Sequence, residues 1–282
     1  MADSTRAGKT LWGTAVRSAL AFVWLANLRA FYSSLAFCFA LTCGAANSAD
    51  STTDAQPPIK RDALRLGTDY ISETLRAQQK DDDLNPGMLW VDQGRALFER
   101  DCSTCHKTPR GLAAAHPKLT PDGAVITLER AINVCQTTRV NRSTYAIESQ
   151  PLLALATFLS FSSRGMSQAT PATVTQSASW QRAQAEFTRI QGKLDFSCRS
   201  CHDKLYGKRI RTQTISQGHG VGFPAYRVEW QTLGSLNRRL RACYFGMETT
   251  VPVPTDPILA ELELYLAWRA QGLPLEAPAV RR

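Results

Sequence analysis

The sequence predicts a mostly α-helical protein built twice over, and three observations predict it. The pentapeptide Cys-x-x-Cys-His occurs twice, as Cys102-Ser-Thr-Cys105-His106 and Cys198-Arg-Ser-Cys201-His202. The segments flanking the two copies recur in the same order. Each half then closes on an amphipathic helix, over 151–165 and 257–272, apolar at i, i+3, i+4 and i+7 and ending near a glycine. The pentapeptide lets two thiols form thioethers to the vinyl groups of one haem while the next residue reaches the iron as a proximal imidazole. A zinc knuckle or a thiol redox pair shares the cysteine spacing, but the histidine in both copies argues against them. The order helix, CxxCH, loops, ligand segment, helix is that of a class I-type cytochrome c. The expectation is therefore two such domains in tandem, carrying two covalently bound haem c groups.

Residues 1–49 read as a signal peptide. Arg6, Lys9, Arg17 and Arg29 form a positive leader, an apolar run follows from Ala30 to Cys43, and Ala45, Ala46, Ser48 and Ala49 suit a signal peptidase. The run is too short to span a bilayer permanently. Export agrees with the chemistry, because thioether attachment of haem in bacteria happens outside the cytoplasmic membrane; the expected location is the periplasm. The whole chain has a formal charge of +9, and without the leader 29 bases face 23 acids. That balance favours anionic substrates or an acidic protein partner. Export makes nucleic acid an unsuitable partner.

Residues 50–64 read as a mobile leader of the first domain, which is assigned to 50–167. Residues 165–179 are rich in Ser, Thr, Ala and Gln, and the linker is placed at 168–179. The second domain covers 180–282. Trp90 opens one helical stretch that runs into the first motif, and Trp180 opens another that is expected to do the same. Further on, LERAINVC (128–135) aligns without gaps to LNRRLRAC (236–243).

That alignment bears on the sixth iron ligand. A cysteine recurs, Cys135 lying 29 residues after His106 and Cys243 lying 41 after His202. A thiolate is anionic and stabilises ferric iron. Axial pairs His106/Cys135 and His202/Cys243 are expected, with a Cys135–Cys243 disulfide or ligation by Met247 as the rivals. Met166 lies past the last helix of its half. His116 is read as solvent-exposed or structural, and the glycines around His219 as turns. Arg239 stands where the first half has Ala131, and i, i+4 spacing puts it on one helix face with Cys243. A cation beside a thiolate favours the anionic sulfur and also binds a dianion. Arg238 and Arg241 read equally as a solvated basic face, and Lys208, Arg209 and Arg211 as a possible extension of a basic funnel.

The segment DDDLNPGMLWVDQGRALF, followed by CSTCH, CRSCH and SQGHGVGFPAYRVEWQTLGSLNRRLRACYFGM, resembles the dihaem SoxA subunits of SoxAX cytochrome complexes. The likeness runs from about Asp69 to Leu273 and is most specific from GFPAYR to CYFGM. The resemblance implies an L-cysteine S-thiosulfotransferase, in which thiosulfate is joined oxidatively to a cysteine of the SoxYZ carrier. Two electrons then leave through haem to the SoxX cytochrome and on to a soluble cytochrome c. It also implies that Cys243 is the distal ligand at the catalytic haem and bears a persulfide, that Arg239 is the active-site cation, and that the haem of His106 and Cys135 is auxiliary. A non-catalytic dihaem electron carrier is the alternative. Such a carrier has no need of an arginine beside one ligand and absent from the other.

Overall fold

Helix α1 (Glu73–Lys80) starts where the Ser72 hydroxyl accepts the Leu75 N–H. The computed structural model describes residues 58–282, so the leader expected over 1–49 lies outside the described residues. Helix α2 (Met88–Asp101) is entered through Asn85, whose side-chain oxygen accepts the Gly87 N–H at 2.9 Å. After the hairpin of β1 (Lys118–Leu119) and β2 (Val125–Ile126) come α3 (Leu128–Thr138) and α4 (Gln150–Ser162). The second half follows with α5 (Ala178–Thr188), the short α6 (Cys198–His202), α7 (Leu236–Gly246) and α8 (Pro257–Arg269). Pro257 opens α8, where its fixed φ suits a helix and its missing N–H costs nothing.

In each half the first long helix packs on the last. Gly94 is the closest point of the α2–α4 crossing: a β-carbon there would lie 2.0 Å from the Ala154 carbonyl oxygen, so only glycine admits the approach. Phe98 and Phe158 meet beside it with ring centroids 5.5 Å apart. The α5–α8 contact is aromatic instead. Trp180 stands edge-on to Trp268 at 4.9 Å, and Phe187 lies 5.1 Å from Tyr265.

Two hydrophobic clusters result, one around each helix pair. They borrow from each other: Val125 of β2 joins the second cluster, while Val221, Leu273 and Leu275 join the first. All described residues belong to one compact unit. This borrowing explains why α4 and α8 are buried nearly all round, from Leu152 to Ser160 and from Glu261 to Arg269, rather than showing the one-sided burial expected of amphipathic helices.

Two segments expected to be loose are fastened. Ile59 and Leu64 are buried in the first cluster, so the end of the 50–64 leader is part of the core rather than a mobile tail. The 168–179 segment is tied down by the Ala169 N–H to the Ala114 carbonyl at 2.9 Å and by the Gln271 side chain to the Thr170 carbonyl at 2.7 Å. Its Val174 is 1 % exposed in the second cluster.

The C-terminal residues return to the first half. Strand β5 (Ala225–Arg227) pairs antiparallel with β6 (Thr232–Gly234) and parallel with β7 (Ala279–Arg281). Asn85 donates to the Pro278 carbonyl at 2.9 Å, Leu275 donates to the Met166 carbonyl at 2.9 Å, and Arg281 bonds Gln79. Residues 273–282 thus form a strap over α1, the entrance to α2 and the end of α4.

Candidate haem and thiolate site

The second half presents its motif on α6. Ser197 caps this turn by accepting the Ser200 N–H at 3.1 Å, which sets Cys198, Cys201 and His202 at i, i+3 and i+4 of one helix. The His202 ring is then fixed from behind. Its Nδ1 lies 2.8 Å from the Ser216 carbonyl oxygen. A carbonyl only accepts, so Nδ1 carries a proton and Nε2 is the ring nitrogen left to ligate a metal. Gly218, at φ +76°, allows the loop to lie against the imidazole; a β-carbon there would sit 2.7 Å from His202 Cγ. Beside the motif, Asp203 takes a 2.6 Å ion pair from Arg269, which is 2 % exposed and stacked over Phe187.

The long helix α5 does not run into this motif as expected. It stops at Thr188, and a tight loop bridged between Gln191 and Phe196 leads to Ser197. Gly192 permits that loop, since a β-carbon there would strike the Met247 carbonyl at 2.0 Å.

Helices α3 and α7 are counterparts. Thr127 and Ser235 cap them by accepting the Arg130 and Arg238 N–H groups, both helices are 11 residues long, and Cys135 and Cys243 each fall at the eighth position. On α7, burial pushes the Cys243 thiol up, but Arg239, His202 and Arg227 outweigh it and bring the thiol down to about 7. Cys243 in turn acts on both motif cysteines: Cys198 is pushed up to about 12, first by burial and then by Cys243, and Cys201 is raised by the same two causes. His202, Arg239, Cys198, Cys201 and Cys243 therefore share one site. Arg239 forms no ion pair among the described residues.

The first half repeats the thiols without the surroundings. Helix α2 ends at Asp101, Cys102 caps it, and the motif continues as turns that leave Cys105 and His106 exposed. Burial raises the Cys135 thiol, and Cys105 raises it further. Cys102 is pushed up to about 11 by burial and then by Cys135. Cys102, Cys105 and Cys135 are thus neighbours, but no cation stands where α7 has Arg239. The buried Asp101 beside them is held by Arg100 at 2.6 Å and Arg142 at 2.8 Å.

The rivals for the sixth ligand have the following surroundings. Cys135 and Cys243 are both free thiols, each beside the motif of its own half. Met247 is packed in the second hydrophobic cluster and Met166 lies against the first. His116 is half-buried and bonds the Leu112 carbonyl, a structural role. His219 is half-buried and bonds Gln217, and desolvation pushes its imidazole down to about 3. Arg238 lies over Trp230, and Arg241 donates to the Pro252 carbonyl, so neither is a freely solvated charge. Lys208, Arg209 and Arg211 are exposed on the hairpin of β3 (Arg209–Ile210) and β4 (Gln213–Thr214).

The donor set suits covalently attached haem: paired thiols on one turn, an imidazole whose Nε2 is turned toward Cys243, and the sulfur of Cys243 on α7. The Gly218 cradle adds an observation independent of the motif. Sequence reasoning missed Ser216, Gly218 and Arg227. The first two act through backbone, which leaves no side-chain signature, although the glycine run around His219 marked the segment. Arg227 lay in the most specific stretch of the resemblance but had no counterpart in the first half to compare with.

The SoxA/TsdA cytochrome c domain family matches residues 89–167. The chain is 31 % identical over 241 residues to the L-cysteine S-thiosulfotransferase subunit SoxA of Rhodovulum sulfidophilum, covering 81 % of this chain and 84 % of that protein. It is 28 % identical to the protein of that name from Paracoccus pantotrophus, over 78 % of this chain and 80 % of the relative. The crystal structure of SoxXA from P. pantotrophus superposes with a TM-score of 0.71 at 26 % identity, covering 78 % of this chain and 87 % of that one.

Proposed function

The chain belongs to the SoxA family of L-cysteine S-thiosulfotransferase subunits, and from that premise we propose that its second half conjugates thiosulfate to a cysteine of the SoxYZ carrier. The observation that carries this reading is Arg239, one helical turn from Cys243, unpaired among the described residues and replaced by Ala131 in the first half. A dianion drawn to Arg239 is held against the sulfur of Cys243 by a charge-assisted contact.

Overall, thiosulfate and the carrier thiol form one S–S bond and release one proton and two electrons. When bound, haem supplies the one-electron steps that carry those electrons away, through SoxX to a soluble cytochrome c. His202 would hold the iron through Nε2, oriented by the Ser216 carbonyl, and Cys198 and Cys201 would anchor the ring. Cys243 would be the other side chain holding the iron. In the first half, Cys102 and Cys105 would anchor a second haem with His106 and Cys135 on its iron, remote from the anion site and dispensable for turnover. Tandem cytochrome c domains at 50–167 and 180–282, joined by 168–179, and a periplasmic location after removal of 1–49 complete the reading.

The test is a set of three variants assayed with thiosulfate, reduced SoxYZ and the SoxX partner. Arg239→Ala loses one charge-assisted hydrogen bond, about 1.5–3 kcal/mol, and so roughly ten- to a hundredfold in kcat/KM. Cys243→Ala abolishes activity with the second haem still attached, while Cys135→Ala costs far less. Full activity in Arg239→Ala together with loss in Cys135→Ala would move the catalytic centre to the first half.

A further inference from the structure

Beside Arg239 stands a second guanidinium with little to neutralise it. Arg227 ends β5, and the β5–β6 register sets it opposite Thr232, three residues before the Ser235 cap of α7. Its side chain is 5 % exposed. Arg239 and Cys243 are both among the charges that act on it.

The Arg227 side chain makes one ion pair, from Nη2 to Glu229 at 3.3 Å, and that carboxylate is itself 48 % exposed. Its Nε is buried and has no hydrogen-bond partner among the described residues. An unspent buried donor on a cation normally costs stability unless something fills the place.

The group is also rigidly built. Arg227 lies 5.1 Å from the centroid of Trp230, and Arg238 covers the same indole at 4.2 Å. Gly234 is what lets the indole in, since a β-carbon there would fall 2.3 Å from its ring. Two arginines are thereby fixed on one aromatic plate next to Arg239, an arrangement of like charges that is unfavourable without an anion between them.

We propose that Arg227 is a second anion-binding side chain of the Cys243 site, donating from Nε to an oxyanion that Arg239 also faces. The inference rests on the second half being the thiosulfate site. The shared ligand chemistry is an oxyanion with two sources: the sulfonate end of thiosulfate, or a propionate of the haem. An arginine suits either, because its planar fork offers two parallel donors.

The experiment uses the holoprotein with its SoxX partner and compares wild type, Arg227→Met, Arg227→Lys, Glu229→Gln and Arg239→Ala. Three quantities are read: thiosulfate affinity by calorimetry, KM and kcat with reduced SoxYZ, and the reduction potential and content of each haem. If Arg227 holds thiosulfate, Arg227→Met weakens binding and raises KM tenfold or more, with both haems retained and their potentials unchanged; Arg227→Lys recovers part of the loss. If it holds a propionate, the potential of the second haem shifts and thiosulfate affinity stays put. Glu229→Gln removes the competing carboxylate from a half-exposed position, so it should tighten thiosulfate or move the same potential even if Arg227→Met fails to accumulate. Affinity within twofold of wild type and unchanged potentials in every Arg227 and Glu229 variant overturn the inference. The separate failure of the premise is visible too, because wild type would then neither bind nor turn over thiosulfate.

Discussion

Gly218→Ala tests whether the loop behind His202 positions the ring. Two separate costs arise. The backbone there has φ +76°, which a side chain tolerates at about 1–2 kcal/mol. The new methyl would also lie 2.7 Å from Cγ and 2.9 Å from Nδ1 of His202, so the ring must retreat. Retreat breaks the 2.8 Å bond to the Ser216 carbonyl, worth about 0.5–1.5 kcal/mol. The sum is about 2–3 kcal/mol. Gly123→Ala is the control: its φ is +82°, and a β-carbon there meets nothing within 4 Å, so it should show the backbone cost alone. Urea unfolding of the holoprotein gives both values, and the ferric spectrum of a haem held by His202 would report its imidazole. Gly218→Ala should exceed the control by about 1 kcal/mol and perturb that spectrum. Equal costs with an unchanged spectrum would mean that the loop does not hold the ring.

Arg269→Met should lower stability by about 3 kcal/mol in urea, because Asp203 loses its 2.6 Å partner while only 11 % exposed. Asp101→Asn should cost about 1–3 kcal/mol at pH 7, at the low end because Arg100 and Arg142 remain about half-exposed and re-solvate. The hydrogen bond from Arg100 leads in holding the Asp101 carboxyl below its ordinary 3.8. Its stabilisation is therefore complete above that value and lost as pH falls through the lower folded value. In urea titrations the gap between wild type and Asp101→Asn should begin to narrow below pH 3.8 and close only beneath the lower folded value; a gap that does not narrow with falling pH would refute the assignment. Asn85→Ala removes a buried amide that bonds both the Gly87 N–H and the Pro278 carbonyl, so about 1–3 kcal/mol should be lost, with faster hydrogen exchange at Val280 and the first turn of α2.

The sequence made the ligand segments legible because a repeat supplies its own control. LERAINVC and LNRRLRAC agree at the cysteine and differ at the arginine, and both became helices of the same length with a hydroxyl cap, Thr127 or Ser235. Helix interiors obey local rules, so α2, α4 and α8 could be read within a few residues. Packing between halves obeys no local rule. Nothing in PILAELELYLAWR says that Glu263 and Arg269 will be buried, because the cover comes from distant chain. The same holds for Ile59 and Leu64, whose neighbours include the C-terminal Leu273 and Leu275. Ser216 was illegible for another reason: it contributes a carbonyl oxygen, and every residue has one.

The strap of residues 273–282 separates the order of synthesis from the order of assembly. Gln79 and Arg281 are 202 positions apart, and Asn85 and Pro278 are 193 apart. Closing such long loops costs little more at equilibrium than closing medium ones, but it delays the contacts kinetically. As the chain emerges, α1 and the entrance to α2 wait for the last residues before they can dock. Cutting the strap short should therefore leave α1 and the entrance to α2 undocked while the α5–α8 pair still forms.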